Sequence, residues 1–489
     1  MAALGAPRLE GGCEVIEKQE ISELARELSL DLHVVEKDYV LGWLLAGIAA
    51  NPELSENWVF KGGTCLKKCY FETYRFSEDL DFTVTEEAQL DEDYLLQAFR
   101  QMAEWVYEQS GIEIPGEQIR FKLSVLDGGR YAEGRVYYVG PLMQKRNLAR
   151  IKFDLTSKEK LVLPPQKRVV HHPYSDCPDD GIHVLSYCFE EVFAEKMRAL
   201  AERERPRDLY DVVHLYRHDE IWPDRGVVLK TLQEKCAFKG IPVPTIESLQ
   251  REDAKIKLAA EWEDMLAHQL PVLPDLEQFW NEIPNVFRWL YGEAEKPSFV
   301  ALAADRPTDN SWQPPAMVYA WRAAVPLESV RFAAANRLCV NLRYQDSWRL
   351  IEPYSLRRSM DGNLLLCAVK HETGESRTYR VDRIQGVEVS RTPFTPRYQI
   401  ELTPTGPLAA PPVQRLAAPR QSISLRPRVS AGRATKALTG QTGPTYVFKC
   451  PNCGKQFRRK TYDGTLPSHK NKNGFQCFGG FGSLVKTEY

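Results

Sequence analysis

The chain lacks any apolar run long enough to cross a bilayer. Its longest, residues 39–50, falls well short of the roughly 20 residues a spanning helix needs. Near Met1 there is no charged segment leading into an apolar stretch, so no secretory signal is expected. No internal repeat is present, which excludes a repeat array. The 11 cysteines are an odd number, mostly single and in apolar surroundings, as at Cys188 and Cys367. That usage excludes a disulfide framework and suits a reducing cytosol, so a cytoplasmic protein is expected. Histidine is scarce, at 9 in 489 residues, which gives weight to any place where it clusters with cysteine. With 43% apolar and 27% charged residues the chain is globular in composition, and its length predicts two to four domains.

Charge of one sign is missing only locally. Residues 404–489 hold 14 Lys and Arg against 2 acids, while the rest holds 50 basic and 64 acidic residues. An acidic body with a basic tail points to a tail that meets polyanions. Residues 404–444 are rich in Pro, Gly, Ala and Ser, with six cations and no acid, and read as a flexible basic linker.

Residues 14–50 and 91–110 show helical apolar spacing, as do 189–205, 208–217 and further segments to about 295. Residues 58–60, 80–84, 135–139 and 149–155 read as strands. Residues 321–402 alternate apolar and polar, with turn signals at Asp361-Gly362-Asn363 and Glu372-Thr373-Gly374, and predict a small β-rich domain.

The chemistry concentrates in residues 60–84. A strand runs into Lys61-Gly62-Gly63-Thr64 and a helix follows at once. Paired glycines let backbone approach a phosphate, and the helix N-terminus offers it free N–H groups. Asp79 and Asp81 flank Leu80 on the next strand, so both carboxylates share one face, as Mg²⁺ binding to a nucleoside triphosphate requires. On the strand 149–155, Lys152 and Asp154 share a face. Asp154 is a candidate third carboxylate that activates an attacking hydroxyl in a two-metal site, and Lys152 a candidate partner for the triphosphate. Asp208 and Asp211, three apart on a helix, share a face, and Lys196, Arg203 and Arg207 step along the helix and turn before them. His171, His172, Cys177, His183 and Cys188 match no standard zinc spacing and read as incidental.

Taken in order, these motifs resemble the signature of the DNA-polymerase-β-like nucleotidyltransferases. The segments from Phe60 to Lys68, Arg75 to Phe82, Glu195 to Arg203 and Arg207 to Asp211 resemble the AbiEii/AbiGii toxin family over about residues 15–290. That resemblance implies a bacterial toxin–antitoxin or anti-phage defence enzyme, related to toxins that modify tRNA. It implies phosphate contacts from Thr64 and Ser77 and metal binding by Asp79 and Asp81. Lys196, Arg203, Arg207, Asp208 and Asp211 would then line the nucleotide site from a helical half. Residues 338–389 resemble a WYL domain, through Val340–Tyr344, Ile351–Pro353 and Arg377–Ile384, with Leu364-Leu365-Leu366 where that family has Trp-Tyr-Leu. Arg377, Arg380 and Arg383 around Tyr379 could pair with phosphates and stack a base.

Cys450-Pro451-Asn452-Cys453, then His469 and Cys477, has the composition of a tetrahedral structural zinc site. A segment of this size has too small a core to fold without such a staple.

The sequence therefore predicts an α+β protein in four parts. A nucleotidyltransferase domain with a mixed sheet and a helical half spans 1–295, and a β-rich WYL-like domain spans 296–403. The basic linker spans 404–444 and a zinc-stapled module 445–489. The expected cofactors are Mg²⁺ and Zn²⁺. The expected partners are an NTP or dNTP, a nucleic-acid 3′ end such as that of tRNA, and an antitoxin or effector, with no membrane. Two alternatives stand beside transfer to RNA. One is oligonucleotide synthesis, primed on the terminal Tyr489, and the other is a non-enzymatic WYL-type regulator.

Overall fold

In the computed structural model the described residues are 16–28, 30–71, 75–126, 128–218, 223–309, 311, 327–402, 445–450, 455–459, 466, 469–470, 476–477 and 483–488. The chain divides into two compact units at Arg415/Leu416.

The first unit opens with α1 (Lys18–Leu28) and α2 (Leu32–Ala50). Asp31 separates them because its carboxylate caps α2, accepting from the His33 N–H at 2.8 Å. After α3 (Pro52–Asn57), β1 (Trp58–Lys61) runs straight into α4 (Gly62–Cys69), and β2 (Asp79–Val84) returns antiparallel to β1. α5 (Glu92–Ser110) is held between an Asp91 N-cap and Gly111 in the left-handed region. Then come β3 (Arg120–Leu126), β4 (Gly129–Tyr138), β5 (Ala149–Thr156), β6 (Gln166–Val170) and β7 (Ile182–Ser186). The helical half follows as α6 (Phe189–Arg203), α7 (Pro206–Arg217), with proline at its first position, and α8 (Arg225–Lys239).

The seven strands form one mixed sheet in the order β3-β4-β5-β2-β1-β7-β6, with β2 parallel to β5 and β1 parallel to β7. One face packs on α5. Leu80, Phe82 and Phe153 are fully buried there, and the Phe99 ring meets Phe153 and Phe121 edge-on at 4.8 Å. Each such side chain stabilises the fold by roughly 1.5–3 kcal/mol. By the two-residue period of strands, that packing fixes which side chains point the other way.

The fourth strand is longer than residues 135–139 alone suggest, and pairs with β3 from Arg120 to Leu126. Gly134 is required because a Cβ there would lie 2.6 Å from the Phe121 ring.

Within the same unit, α9 (Ile246–Leu249), α10 (Glu252–Leu266), α11 (Leu276–Trp280) and α12 (Ile283–Leu290) complete the helical half. α13 (Leu327–Ala335) then packs on a five-stranded antiparallel sheet of β8 (Leu338–Tyr344), β9 (Ser347–Arg358), β10 (Leu364–Lys370), β11 (Ser376–Arg380) and β12 (Ile384–Pro393). Both expected turns are present, with Gly362 and Gly374 at positive φ. Tyr379 is buried in this sheet, which removes its ring from stacking on a ligand, and Arg380 pairs with Asp382 at 2.6 Å.

In the second unit, Thr445–Lys449 pairs with Gln456–Arg459 and Ser483–Glu488, and His469 lies directly opposite Cys477 in a two-residue ladder. Cys450 is buried with Phe448 and Leu466. Cys453, the Cys477 side chain, Tyr489 and the linker lie outside the described residues. No helix among the described residues is long and apolar enough to cross a membrane.

Candidate active site

Strand register lays out the face of the sheet opposite α5. Asp81 sits directly beside Asp154, Asp154 beside Glu133, and Glu133 beside Lys122, across β2, β5, β4 and β3. One step along the strands, Asp79 sits beside Lys152 and Lys152 beside Arg135. Three carboxylates from two parallel neighbours thus share one face, flanked by Lys152, which pairs with Asp154 at 3.0 Å and Glu133 at 3.5 Å.

The glycine turn closes over this face from β1. Gly62 has φ +80°, and a Cβ on it would fall 2.2 Å from Asp81 Oδ2. A Cβ on Gly63 would meet the Arg75 guanidinium at 2.5 Å and Ser77 Oγ at 3.2 Å. Lys61 caps α4 without a side-chain hydrogen bond, so the first N–H groups of the helix are left to a ligand. The Thr64 hydroxyl donates to the Asp79 backbone carbonyl, tying α4 to β2 rather than projecting outward.

The electrostatics follow from crowding. Burial, joined by the charges of Asp154 and Asp79 and opposed by Lys61 and Lys196, pushes the Asp81 carboxyl up to about 6. Burial and Asp154 also raise Asp79, against Lys152. Burial lowers Lys61, which is ion-paired with Glu159, to about 8. Repulsion among carboxylates is what a divalent cation relieves, and the donors are all hard oxygens. In this conformation no three acidic, His or Cys side chains among the described residues converge as a metal cluster. The Lys152 ammonium is drawn to Asp154 instead. The residues fit Mg²⁺ once Asp154 leaves Lys152.

From the helical half, Asp208 and Asp211 are fully buried and stand one layer behind the cavity. Asp211 accepts both Arg75 Nε at 2.7 Å and Nη2 at 2.8 Å, and pairs with Lys196 at 2.6 Å. Burial would raise its carboxyl, but Arg75 and Lys196 hold it well below the usual carboxylate range. Asp208 holds Arg203 at 2.6 Å. These acids therefore orient cations rather than touch a nucleotide. Arg207 is half-buried, with Nε donating to the Met265 carbonyl at 3.3 Å.

Two cavities meet at Asp81 and Lys61. One of about 210 Å³ is lined by Gly62, Gly63, Lys196 and Arg203. The other, of about 450 Å³, lies over β5, β4 and β3. Arg75, Glu133 and Glu159 belong to the site and were not among the residues expected there. Arg75 sits inside a recognised motif, but its partner Asp211 is 136 positions away and nothing local announces the pair. Among the expected zinc ligands, Cys450 and His469 are buried, and the His469 ring meets Phe457 at 4.8 Å. The histidines at 171 and 172 are buried and pushed below the ordinary imidazole range by desolvation.

A family model described as nucleotidyl transferase AbiEii toxin, Type IV TA system, matches residues 43–292, just over half of the chain. A WYL domain model matches residues 326–389. Similar solved structures include JHP933 from Helicobacter pylori, 17% identical, covering 54% of this chain and 94% of that one, with a TM-score of 0.36. Another is MenT4, a nucleotidyltransferase toxin from Mycobacterium tuberculosis H37Rv, 19% identical, covering 57% and 99%, with a TM-score of 0.34. No curated protein matches the chain.

Proposed function

The chain belongs to the AbiEii nucleotidyl transferase toxin family and is thus a nucleotidyltransferase of toxin–antitoxin type that also carries a WYL domain; from this we propose that it transfers a nucleotide from an NTP or dNTP to a nucleic-acid 3′ hydroxyl such as that of tRNA. Membership of an enzyme family sets aside the reading as a non-catalytic regulator. The observation that carries the proposal is the meeting of two cavities, of about 210 and 450 Å³, at Asp81, since a two-substrate transfer needs a donor and an acceptor side.

On the donor side the free N–H groups of α4 take the triphosphate at Gly62 and Gly63, with Ser77 beside them. Lys196 and Arg203, held in place by Asp211 and Asp208, neutralise it. Asp79, Asp81 and Asp154 would hold Mg²⁺, which supplies positive charge to the phosphates when bound. On the acceptor side Asp154 takes the proton of the attacking hydroxyl. The new bond forms between that oxygen and the α-phosphorus, and pyrophosphate leaves. Lys152 restrains Asp154 until substrate arrives.

The four-part division at 295, 403 and 444 and the zinc site of Cys450, Cys453, His469 and Cys477 are part of the same proposal. A cognate antitoxin would restrain the enzyme in a bacterial cytoplasm. The test is incubation with each labelled NTP and dNTP, with and without total RNA. Label on RNA 3′ ends supports the reading. Label confined to the protein, and lost in Tyr489→Phe, replaces it with protein-primed synthesis.

A further inference from the structure

The larger cavity carries an unmatched charge pattern. Of its acidic lining, Glu133 is taken up by Arg135 at 2.8 Å and Lys152 at 3.5 Å, and Glu159 by Lys61. Asp154 pairs with Lys152 at 3.0 Å, and Asp81 lies directly beside it. Its cations Lys122, Lys158 and Lys239, from β3, the segment after β5 and the end of α8, have no ion pair among the described residues. Asp79 and Asp81 thus carry negative charge where metal and phosphorus would meet, and three ammonium groups without an ion pair among the described residues line the same cavity. Tyr131 lines the same cavity, half-buried on β4 one row along from Glu133, directly opposite Ser124 on one side and Thr156 on the other. Those small hydroxyl side chains leave the aromatic ring the dominant surface of its row.

We propose that this cavity is the acceptor site, and that it takes the unpaired 3′-terminal nucleotides of a nucleic acid, with phosphates on Lys122, Lys158 and Lys239 and a base against Tyr131. The inference rests on the proposed transfer reaction, and specifies its acceptor. Charge complementarity selects a polyanion, and the cluster of three lysines without carboxylate partners gives its backbone a track. An aromatic ring amid small polar neighbours is the usual stacking platform for a base whose identity is not read. The size of the cavity, about 450 Å³, admits a nucleotide-sized group and not paired strands. β3 is the edge of the sheet, at about 14 Å from β2 by three strand spacings, so the remainder of the strand leaves past Lys122 without meeting a further layer of sheet.

Two measurements on the full chain decide it. In the first, Lys122→Ala/Lys158→Ala/Lys239→Ala is compared with the parent on a single-stranded RNA acceptor. The acceptor KM should rise about tenfold or more and the salt slope of binding should fall by about three, one per cation removed. The KM for NTP should stay within twofold. An unchanged acceptor KM, or an equal rise for NTP, overturns the site. Tyr131→Phe should keep acceptor affinity while Tyr131→Leu loses roughly tenfold; equal loss in both overturns the stacking role. In the second, an RNA with a photoreactive 3′-terminal base is crosslinked to an Asp79→Asn chain that cannot transfer. Crosslinks at residues 120–135 support the site even if no transfer to RNA is found in the parent, an outcome that would defeat the proposed reaction alone. Crosslinks confined to residues 404–489 overturn it.

Discussion

At the residue scale, Asp81, the proposed metal ligand, shows how a buried carboxylate strains the fold that holds it. Burial, with the nearby charges of Asp154 and Asp79, raises its carboxyl to about 6, so its charge is unfavourable in the metal-free protein. Asp81→Asn should therefore melt no lower than the parent in metal-free buffer while losing about 100-fold or more in transfer, as when a positioned charge is removed from a transition state. Thermal melts beside transfer assays check both halves, and a melting point several degrees lower would contradict the account. Gly62 is a second such position. At φ +80° any Cβ costs about 1–2 kcal/mol, and here it would also displace the Asp81 carboxylate. Gly62→Ala should lose stability by at least that amount in urea melts, together with nearly all activity. Both residues were legible in the sequence because their chemistry is local: a turn between strand and helix, and two acids on one strand face. Arg75 and Glu133 were not, because their roles are set by partners that only tertiary folding brings near.

At the element scale, the strand 149–155 and the helices 189–205 and 208–217 were legible within a residue or two, since periodicity and Pro206 mark them. The hairpin of β3 and β4 was not, because Gly129 and Gly134 break its pattern for packing reasons seen only from Lys158 and Phe121. α7 was read as lining the nucleotide site, whereas its acids are buried behind cations. That arrangement has an energetic signature. Asp211→Asn removes the carboxylate that Arg75 and Lys196 share, leaving Lys196 only the more distant Asp208 at 3.5 Å, and should cost about 3–5 kcal/mol in urea unfolding. Pairing it with Arg75→Met should restore part of that loss, because one uncompensated cation then disappears. A double variant no more stable than Asp211→Asn would refute the coupling.

At the scale of the whole molecule, acid sensitivity and metal content are the accessible readouts. Burial holds His171 and His172 below the usual imidazole range, and takes His214 down to about 3. Each binds fewer protons folded than unfolded, so stability rises with pH across that window and is lost as pH falls from roughly 6.5 toward 3. Burial would raise Glu195, but Lys235 and Arg198 hold it at about 2, so its stabilising share is lost as pH falls from about 4.5 through 2. Urea midpoints at pH 7.5 and 5.5 should therefore differ, and a flat profile would show that these imidazoles bind protons equally in the folded and unfolded chain. In the second unit, elemental analysis should find about one zinc per chain, and chelation should expose residues 445–489 to protease while the first unit melts unchanged.

α7 has a consequence for how such genes recombine. Its inner face secures Arg75 and Lys196 through Asp211, and its outer face meets Asn336, with Tyr210 Oη at 2.9 Å and His214 Nε2 at 3.2 Å from the same Asn336 oxygen. Gln278 closes the ring by donating to the Asn336 backbone carbonyl at 2.6 Å. The segment between the two matched families is therefore no free splice point. A chimera that exchanges the β-rich portion loses these contacts with α7 unless the incoming piece supplies an acceptor at the place of Asn336.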